Sequence, residues 1–244
     1  LAGEVAQVVN RDCFCGWCIE RVKRTPISDR LSYRSFYRRN LPHIQPLNTD
    51  FFVTFRLTGS LPAEVLARMA DERRLLERAL RTDSVQSQTK FQALARRHFA
   101  MLESWLDKAS TGPTWLADDR VADIVAEALH FRDARSYRLD AYSIMSNHVH
   151  TVFAPAAKTN TPESLSSIMH SLKRNSAKRA NQILGRSGAF WEHESFDHYI
   201  RSGAERKRII KYVLENPVKA GLVKTWEEWR WNYFRDPLAK PDAS

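Results

Sequence analysis

His148 and His150 are separated by one residue, inside a stretch whose β-branched and aromatic neighbours predict a strand over 148–153. A strand repeats every two residues, so both imidazoles fall on one face and Val149 turns to the other. Two imidazoles side by side can hold a divalent metal; equally, such a pair can face solvent or bond the backbone. A second group of chemical interest lies near residue 212. The apolar stripe Ile209, Ile210, Val213 and Leu214 predicts a helix from 204 to about 217, and at about 100° per residue Tyr212 points roughly 130° away from the stripe centre. That is no position for a core tyrosine. Asn216 follows one turn later on the same side, so phenol and amide can face a common site; the plain alternative is a surface tyrosine and a helix-ending asparagine before Pro217.

Tyr199 in Asp197-His198-Tyr199 is a second candidate nucleophile, ranked below Tyr212. Glu192, His193 and Asp197 are dense in potential ligands, but a strand through 190–200 would split them between faces, so they read as surface groups or groups standing behind the site.

Stepping outward, these residues need elements to hold them. Asp50 to Leu57 reads as a buried strand, 62–80 as a helix, 91–106 and 119–132 as two more, and 137–144 with 148–153 as a hairpin closed by Met145-Ser-Asn147. A helix over 162–184 follows, with Leu165, Ile168, Met169, Leu172 and Ile183 at helical spacing and Lys173, Arg174, Lys178 and Arg179 crowding its later half. Those four cations are the candidate nucleic-acid contacts. A short strand at 190–191, or 196–200, comes before the 204–217 helix, and the aromatic tail with Trp226, Trp229, Trp231, Tyr233 and Phe234 is expected to pack back. The order predicts an α+β domain: a ferredoxin-like antiparallel sheet with helices on one face. Residues 1–40 read as a poorly ordered extension, 41–234 as the domain with a helical insertion at about 81–133, and 235–244 as a tail.

Composition narrows the partners. The chain of 244 residues carries 38 Lys+Arg against 28 Asp+Glu, a formal net charge of +10, which favours a polyanion, with nucleic acid ahead of acidic lipid. No apolar run is long enough for a membrane span and no signal-peptide pattern opens the chain, so a cytoplasmic, nucleoid-associated location is expected and a membrane partner is not. Cys13, Cys15 and Cys18 are odd in number, read as free thiols, and lack an evident fourth zinc ligand.

Taken together, Ala141-Tyr-Ser-Ile-Met-Ser-Asn-His-Val-His150 and Lys211-Tyr-Val-Leu-Glu-Asn-Pro-Val-Lys-Ala-Gly-Leu-Val223 resemble the two signature segments of single-tyrosine HUH transposases. The Asn-Pro-Val-Lys continuation, Phe190-Trp191, Phe196-Asp-His-Tyr-Ile-Arg201, Arg38-Arg-Asn-Leu-Pro-His43 and Phe51-Phe-Val-Thr-Phe55 are similar to the REP-associated tyrosine transposases within that family; the resemblance spans about 38–234. It implies that His148 and His150 are metal ligands, Asn216 the third ligand and Tyr212 the nucleophile. Many insertion-sequence relatives carry Gln in place of Asn216, one methylene longer, so here a water can bridge. The resemblance further implies Mg²⁺ or Mn²⁺, a 5′-phosphotyrosine intermediate, a free 3′-hydroxyl, a single-stranded hairpin DNA substrate of the repetitive extragenic palindrome type, and a monomer. Two other readings stay open at this level: a metal-dependent nuclease in which water attacks, and a non-catalytic binder of structured DNA or RNA.

Overall fold

The computed structural model describes residues 49–79, 84–109, 111–156 and 163–235, and the backbone strands β1 (Tyr33–Arg38) and β2 (Pro42–Pro46). Cys13, Cys15 and Cys18 and the tail beyond 235 lie outside the described residues. β1 and β2 pair antiparallel as a two-stranded ribbon, and so straddle the boundary expected near residue 41.

The remaining elements run β3 (Phe51–Arg56), α1 (Ala63–Ala79), α2 (Ser84–Lys108), α3 (Asp119–Arg132), β4 (Tyr137–Ile144), β5 (His148–Pro155), α4 (Leu165–Ile183), β6 (Phe196–Tyr199), α5 (Gly203–Lys219) and β7 (Asn232–Phe234). The five long-range strands form one antiparallel sheet in the order β6-β3-β5-β4-β7. Removing β7, α1, α2 and α5 leaves β-α-β-β-α-β with the first strand between the fourth and the third, the ferredoxin-like arrangement expected.

Opposed residues on antiparallel neighbours share a face, and the register therefore sorts the core. Phe51 opposite Phe153, Val53 opposite Thr151 and Phe55 opposite Val149 point to one side. There they meet Val121, Val125 and Leu129 of α3 and Leu165, Ile168 and Leu172 of α4 in a continuous buried cluster. This is the single helical layer read from the sequence. The opposite face is covered too: Phe52, opposite Val152, packs on Phe99 of α2, Phe196 and Tyr212 of α5. All six residues of β3 are buried, which is why one layer of helices cannot suffice.

Local chemistry starts and stops these helices. Asp118 accepts from the Arg120 amide at 3.0 Å to cap α3, Ser164 from the Ser167 amide at 3.2 Å to cap α4, and Ser202 from the Glu205 amide at 3.1 Å to cap α5. Sequence reading ends the last helix near Pro217, but α5 runs through it to Lys219. Pro217 removes one hydrogen bond to the preceding turn and crowds the carbonyl four residues back, yet the helix carries on past it, and the stop is Gly221 at φ +70°. The Leu222 amide bonds the Pro217 carbonyl at 2.9 Å and the Gly221 amide the Val218 carbonyl at 3.0 Å, a Schellman closure. At Gly112, φ is +77° and a Cβ would stand 2.1 Å from the Gly59 carbonyl oxygen. Only glycine lets the turn after α2 cross the turn after β3 so closely. Among the described residues no helix is long and apolar enough to cross a membrane.

Candidate metal centre and nucleophile

β5 presents His148 and His150 to the α2/α5 side of the sheet, both fully buried. The Asn147 side chain donates from Nδ2 to the Leu106 carbonyl at 3.1 Å, so its Oδ1 is the atom 2.7 Å from His148 Nδ1 and can only accept. His148 therefore carries its proton on Nδ1 and turns a lone pair out at Nε2. His150 Nδ1 lies 2.8 Å from the Thr54 hydroxyl, an arrangement that holds its Nε2 toward the same point. The two Nε2 atoms are 2.9 Å apart. Burial, followed by the neighbouring imidazole, pushes the His148 pKa well down, and burial does the same for His150, so both rings stay neutral and able to ligate.

Helix α2 adds a group the sequence reading did not single out. Glu103 is 6% exposed, and its Oε2 lies 3.2 Å from His150 Nε2. Among the described residues, Glu103, His148 and His150 form a three-donor group able to hold a metal ion. Donors about 2.1 Å from a common ion and at right angles stand about 3.0 Å apart. The observed 2.9 Å and 3.2 Å suit that spacing. Burial pushes the Glu103 pKa up, opposed by His148, the Tyr212 hydroxyl and Lys219, and burial together with the Glu103 charge pushes Asp107 up to about 6. Glu103 Oε1, Asp107 Oδ1 and both amide atoms of Asn216 are buried without a hydrogen-bond partner. Orphaned polar atoms of this kind call for an ion or ordered water.

Tyr212 reaches the same place from α5. Its hydroxyl donates to Glu103 Oε2, and its ring centroid is 5.7 Å from that of His150 and 6.0 Å from Phe52. The exposed Lys219 places Nζ 4.2 Å from the centroid of the Tyr212 ring. Asn216 is fully buried one turn beyond Tyr212 on α5. Tyr199 pairs with Phe51 and so faces the α3/α4 side, across the sheet from the histidines. Glu192 ion-pairs with Arg56 at 3.5 Å.

The basic helix face divides. Lys173 Nζ donates to the carbonyls of Glu192, His193 and Glu194 at 2.9, 3.2 and 3.3 Å, fastening that loop to α4. Arg179 ion-pairs with Glu127 at 2.6 Å, while Arg174 and Lys178 are exposed. All four lie on the α3/α4 side, where a cleft of about 860 Å³ opens between α4 and residues 188–195. A smaller cleft of about 130 Å³, lined by Thr54, Arg56, Leu102 and Phe196, adjoins the histidine side.

Glu103 left no motif in the sequence. Its only sequence trace was its place on the apolar side of a helical stretch, between Leu102 and Leu106, where a lone acid is out of keeping.

Fold and site thus define a ferredoxin-like domain that brings a tyrosine hydroxyl onto a carboxylate and a buried histidine pair. Residues 115–216 match the model of the family described as Transposase IS200 like, and over that span the resemblance read from the sequence holds. The span contains His148, His150, Tyr212 and Asn216, and leaves Glu103 outside it. A solved structure described as a REP-associated tyrosine transposase bound to a REP hairpin is 16% identical, with 81% of each chain covered and a TM-score of 0.43. No match is found among curated proteins.

Proposed function

We propose that this protein is a metal-dependent single-stranded DNA endonuclease and strand transferase that acts on hairpin DNA through a covalent bond to Tyr212. The observation that carries the reading is the meeting of nucleophile and donors: the Tyr212 hydroxyl bonds Glu103 Oε2, which itself lies 3.2 Å from His150 Nε2.

An unperturbed phenol has a pKa near ~10 and attacks phosphorus poorly at neutral pH without help. His148, His150 and Glu103, with Asn216 as the ligand implied by the family resemblance, would hold Mg²⁺ or Mn²⁺. When bound, such an ion polarises the scissile phosphate and stabilises the charge that builds on it. The chain's own residues do the rest. Glu103 takes the phenolic hydrogen bond and so fixes the hydroxyl's direction, leaving a lone pair of the oxygen for phosphorus. Phe52, Phe99 and His150 hold the ring edge-on or tilted, which limits its swing. Lys219 sits at the exposed side of the ring, where a strand would arrive, and its ammonium can meet phosphate oxygens. As the Tyr212 oxygen bonds phosphorus, its proton passes to Glu103 and the bond to the 3′-oxygen breaks; that oxygen takes up a proton and leaves as a free 3′-hydroxyl. Because one ester replaces another, a later 3′-hydroxyl can reverse the step and rejoin DNA without a nucleotide cofactor. Arg174 and Lys178, exposed on the far side of the sheet, would hold the flanking strand or hairpin rather than the scissile bond. One chain carries every group invoked, which supports a monomer, and the net charge of +10 suits a nucleoid-associated location.

The test is a denaturing gel with end-labelled single-stranded hairpins from palindromes flanking the gene, in Mn²⁺ or EDTA. Label that travels with the protein, requires Mn²⁺ and vanishes in Tyr212→Phe is expected. Cleavage surviving Tyr212→Phe would instead identify a water-attacking nuclease, and binding without cleavage a non-catalytic DNA or RNA binder.

A further inference from the structure

Arg56 stands opposite His148 in the β3–β5 register, so its side chain leaves the sheet on the histidine side. It is 7% exposed, and a guanidinium that deep in a fold is costly unless its N–H groups are met. Its Nη1 donates to the Ser60 hydroxyl at 3.2 Å and lies 3.5 Å from Glu192 Oε2. Among the described residues Nε and Nη2 have no acceptor, although arginine carries five N–H donors in a fixed fork. The fork lines the cleft of about 130 Å³, whose polar side is Thr54, Arg56 and Glu192 and whose apolar side is Met69, Leu102 and Phe196. Thr54 ties this cleft to the histidine pair through its 2.8 Å contact with His150 Nδ1. The polar side is held from two directions: the Glu192 amide donates to the Arg56 carbonyl at 2.9 Å, and Lys173 grips the carbonyls of Glu192, His193 and Glu194. Glu192, Glu194 and Ser195 line this cleft and the 860 Å³ one alike. The two clefts therefore meet at residues 192–195, beside β6, the end strand of the sheet, and a chain lying across Arg174 can reach the histidine side around that edge.

We infer that the smaller cleft is a nucleobase subsite: it seats one unpaired base of the bound strand, Glu192 accepting from an exocyclic amino group and Arg56 donating to the ring nitrogen beside it. The inference rests on the proposed function, which brings a single strand to this side of the sheet, and adds to it a place where sequence is read. The cleft is small enough to admit one base and to exclude a base pair, and its apolar wall suits the face of a flat ring. Cytosine and adenine both present an amino group next to a ring nitrogen that accepts. Thymine presents a carbonyl where Glu192 needs a donor and an N–H where Arg56 needs an acceptor, so it is refused. Discrimination of this kind belongs to base-edge contacts, whereas Arg174 and Lys178 would meet phosphates, which carry no sequence.

The probes are fluorescein-labelled octathymidylate and its variants in which one thymine is replaced, position by position, by cytosine, adenine or an abasic residue. Binding to the full chain is read by anisotropy in EDTA, and in Mn²⁺ with Tyr212→Phe, which prevents attack on the probe. At one position cytosine or adenine should bind about fivefold or more tighter than thymine, and the abasic residue no tighter than thymine. The two arms show which amino-bearing base the cleft prefers. Glu192→Gln, whose carboxamide offers an N–H to a thymine carbonyl, and Arg56→Lys, which lacks the fork, should each bring the preference below about twofold. Arg174→Ala should instead weaken every octamer alike. The preference is a ratio within one protein sample, so a variant that folds less completely still reports it. A merely structural Arg56–Glu192 pair predicts a lower melting temperature in both variants with the preference intact. That result overturns this inference, as does equal binding of all the octamers by wild type, and either leaves the proposed function standing. Wild type that binds no octamer in either condition overturns both.

Discussion

Replacing Asn147 by alanine removes the side chain that links the histidine strand to helix α2. Asn147 is 1% exposed, donates to the Leu106 carbonyl at 3.1 Å and accepts from His148 Nδ1 at 2.7 Å. Its loss strands a buried carbonyl and a buried ring N–H, each costing about 1–3 kcal/mol when left without a partner. A water entering the space would relieve part of that, so a stability loss of about 2–4 kcal/mol is expected. The second effect is on the metal. Without Oδ1 to hold its Nδ1 proton, His148 is free to change tautomer and turn, and loss of such an orienting partner typically lowers metal affinity about 10–100-fold. Urea denaturation measures the first effect and Mn²⁺ calorimetry the second. Asn147→Asp separates them: it keeps an acceptor for His148 but has no donor for Leu106, so Mn²⁺ affinity should recover while stability does not. Should Asn147→Ala bind Mn²⁺ within threefold of wild type and lose less than about 1 kcal/mol, the claim that Asn147 sets the His148 tautomer and anchors α2 is refuted.

Further outcomes can be checked independently. Lys219→Met removes the ammonium over the Tyr212 ring and should slow phosphotyrosine formation at least tenfold in the gel assay with Mn²⁺ affinity unchanged, Lys219→Arg restoring most of it. Ser202→Ala deletes the cap of the helix that carries Tyr212 and should cost about 1 kcal/mol in urea denaturation. Leu106→Ala empties a site 1% exposed beneath α2 and should cost about 2–5 kcal/mol by the same measurement. Acid should loosen the α1–α2 pair. Burial works against it, but hydrogen bonds from His98, Arg97 and Arg68 hold the Glu72 pKa down to about 2. A depressed carboxylate stabilises fully above its unfolded value near ~4.5 and loses that contribution as pH falls toward 2. The stability gap between wild type and Glu72→Gln should therefore be widest above pH ~5 and close on acidification; a gap that stays constant would show that Glu72 is not ionically tied.

How much of this was legible in the residues alone differs by element. The α3 boundaries and the β4 strand coincide with the sequence reading because a capping aspartate and a period-two hairpin are local signals. The ferredoxin-like order followed from the alternation of those local signals. The end of α5 was misplaced because Pro217 reads as a stop, whereas the closing hydrogen bonds depend on Gly221 and Leu222. The second helical layer was not anticipated, since an all-apolar β3 shows that both faces are buried without saying by what.

For the site, sequence alone determined the pairings internal to one element: His148 with His150 on a strand, and Tyr212 with Asn216 on a helix, each a consequence of backbone period. What only the tertiary structure decided is which elements meet. Sheet register turned Tyr199 away from the histidines and Thr54 toward them. Helix α2 brought Glu103 against His150, 47 positions later in the chain, and onto Tyr212, 109 positions later. Contacts between elements so distant in sequence depend on the three-dimensional path of the chain, which no local spacing encodes.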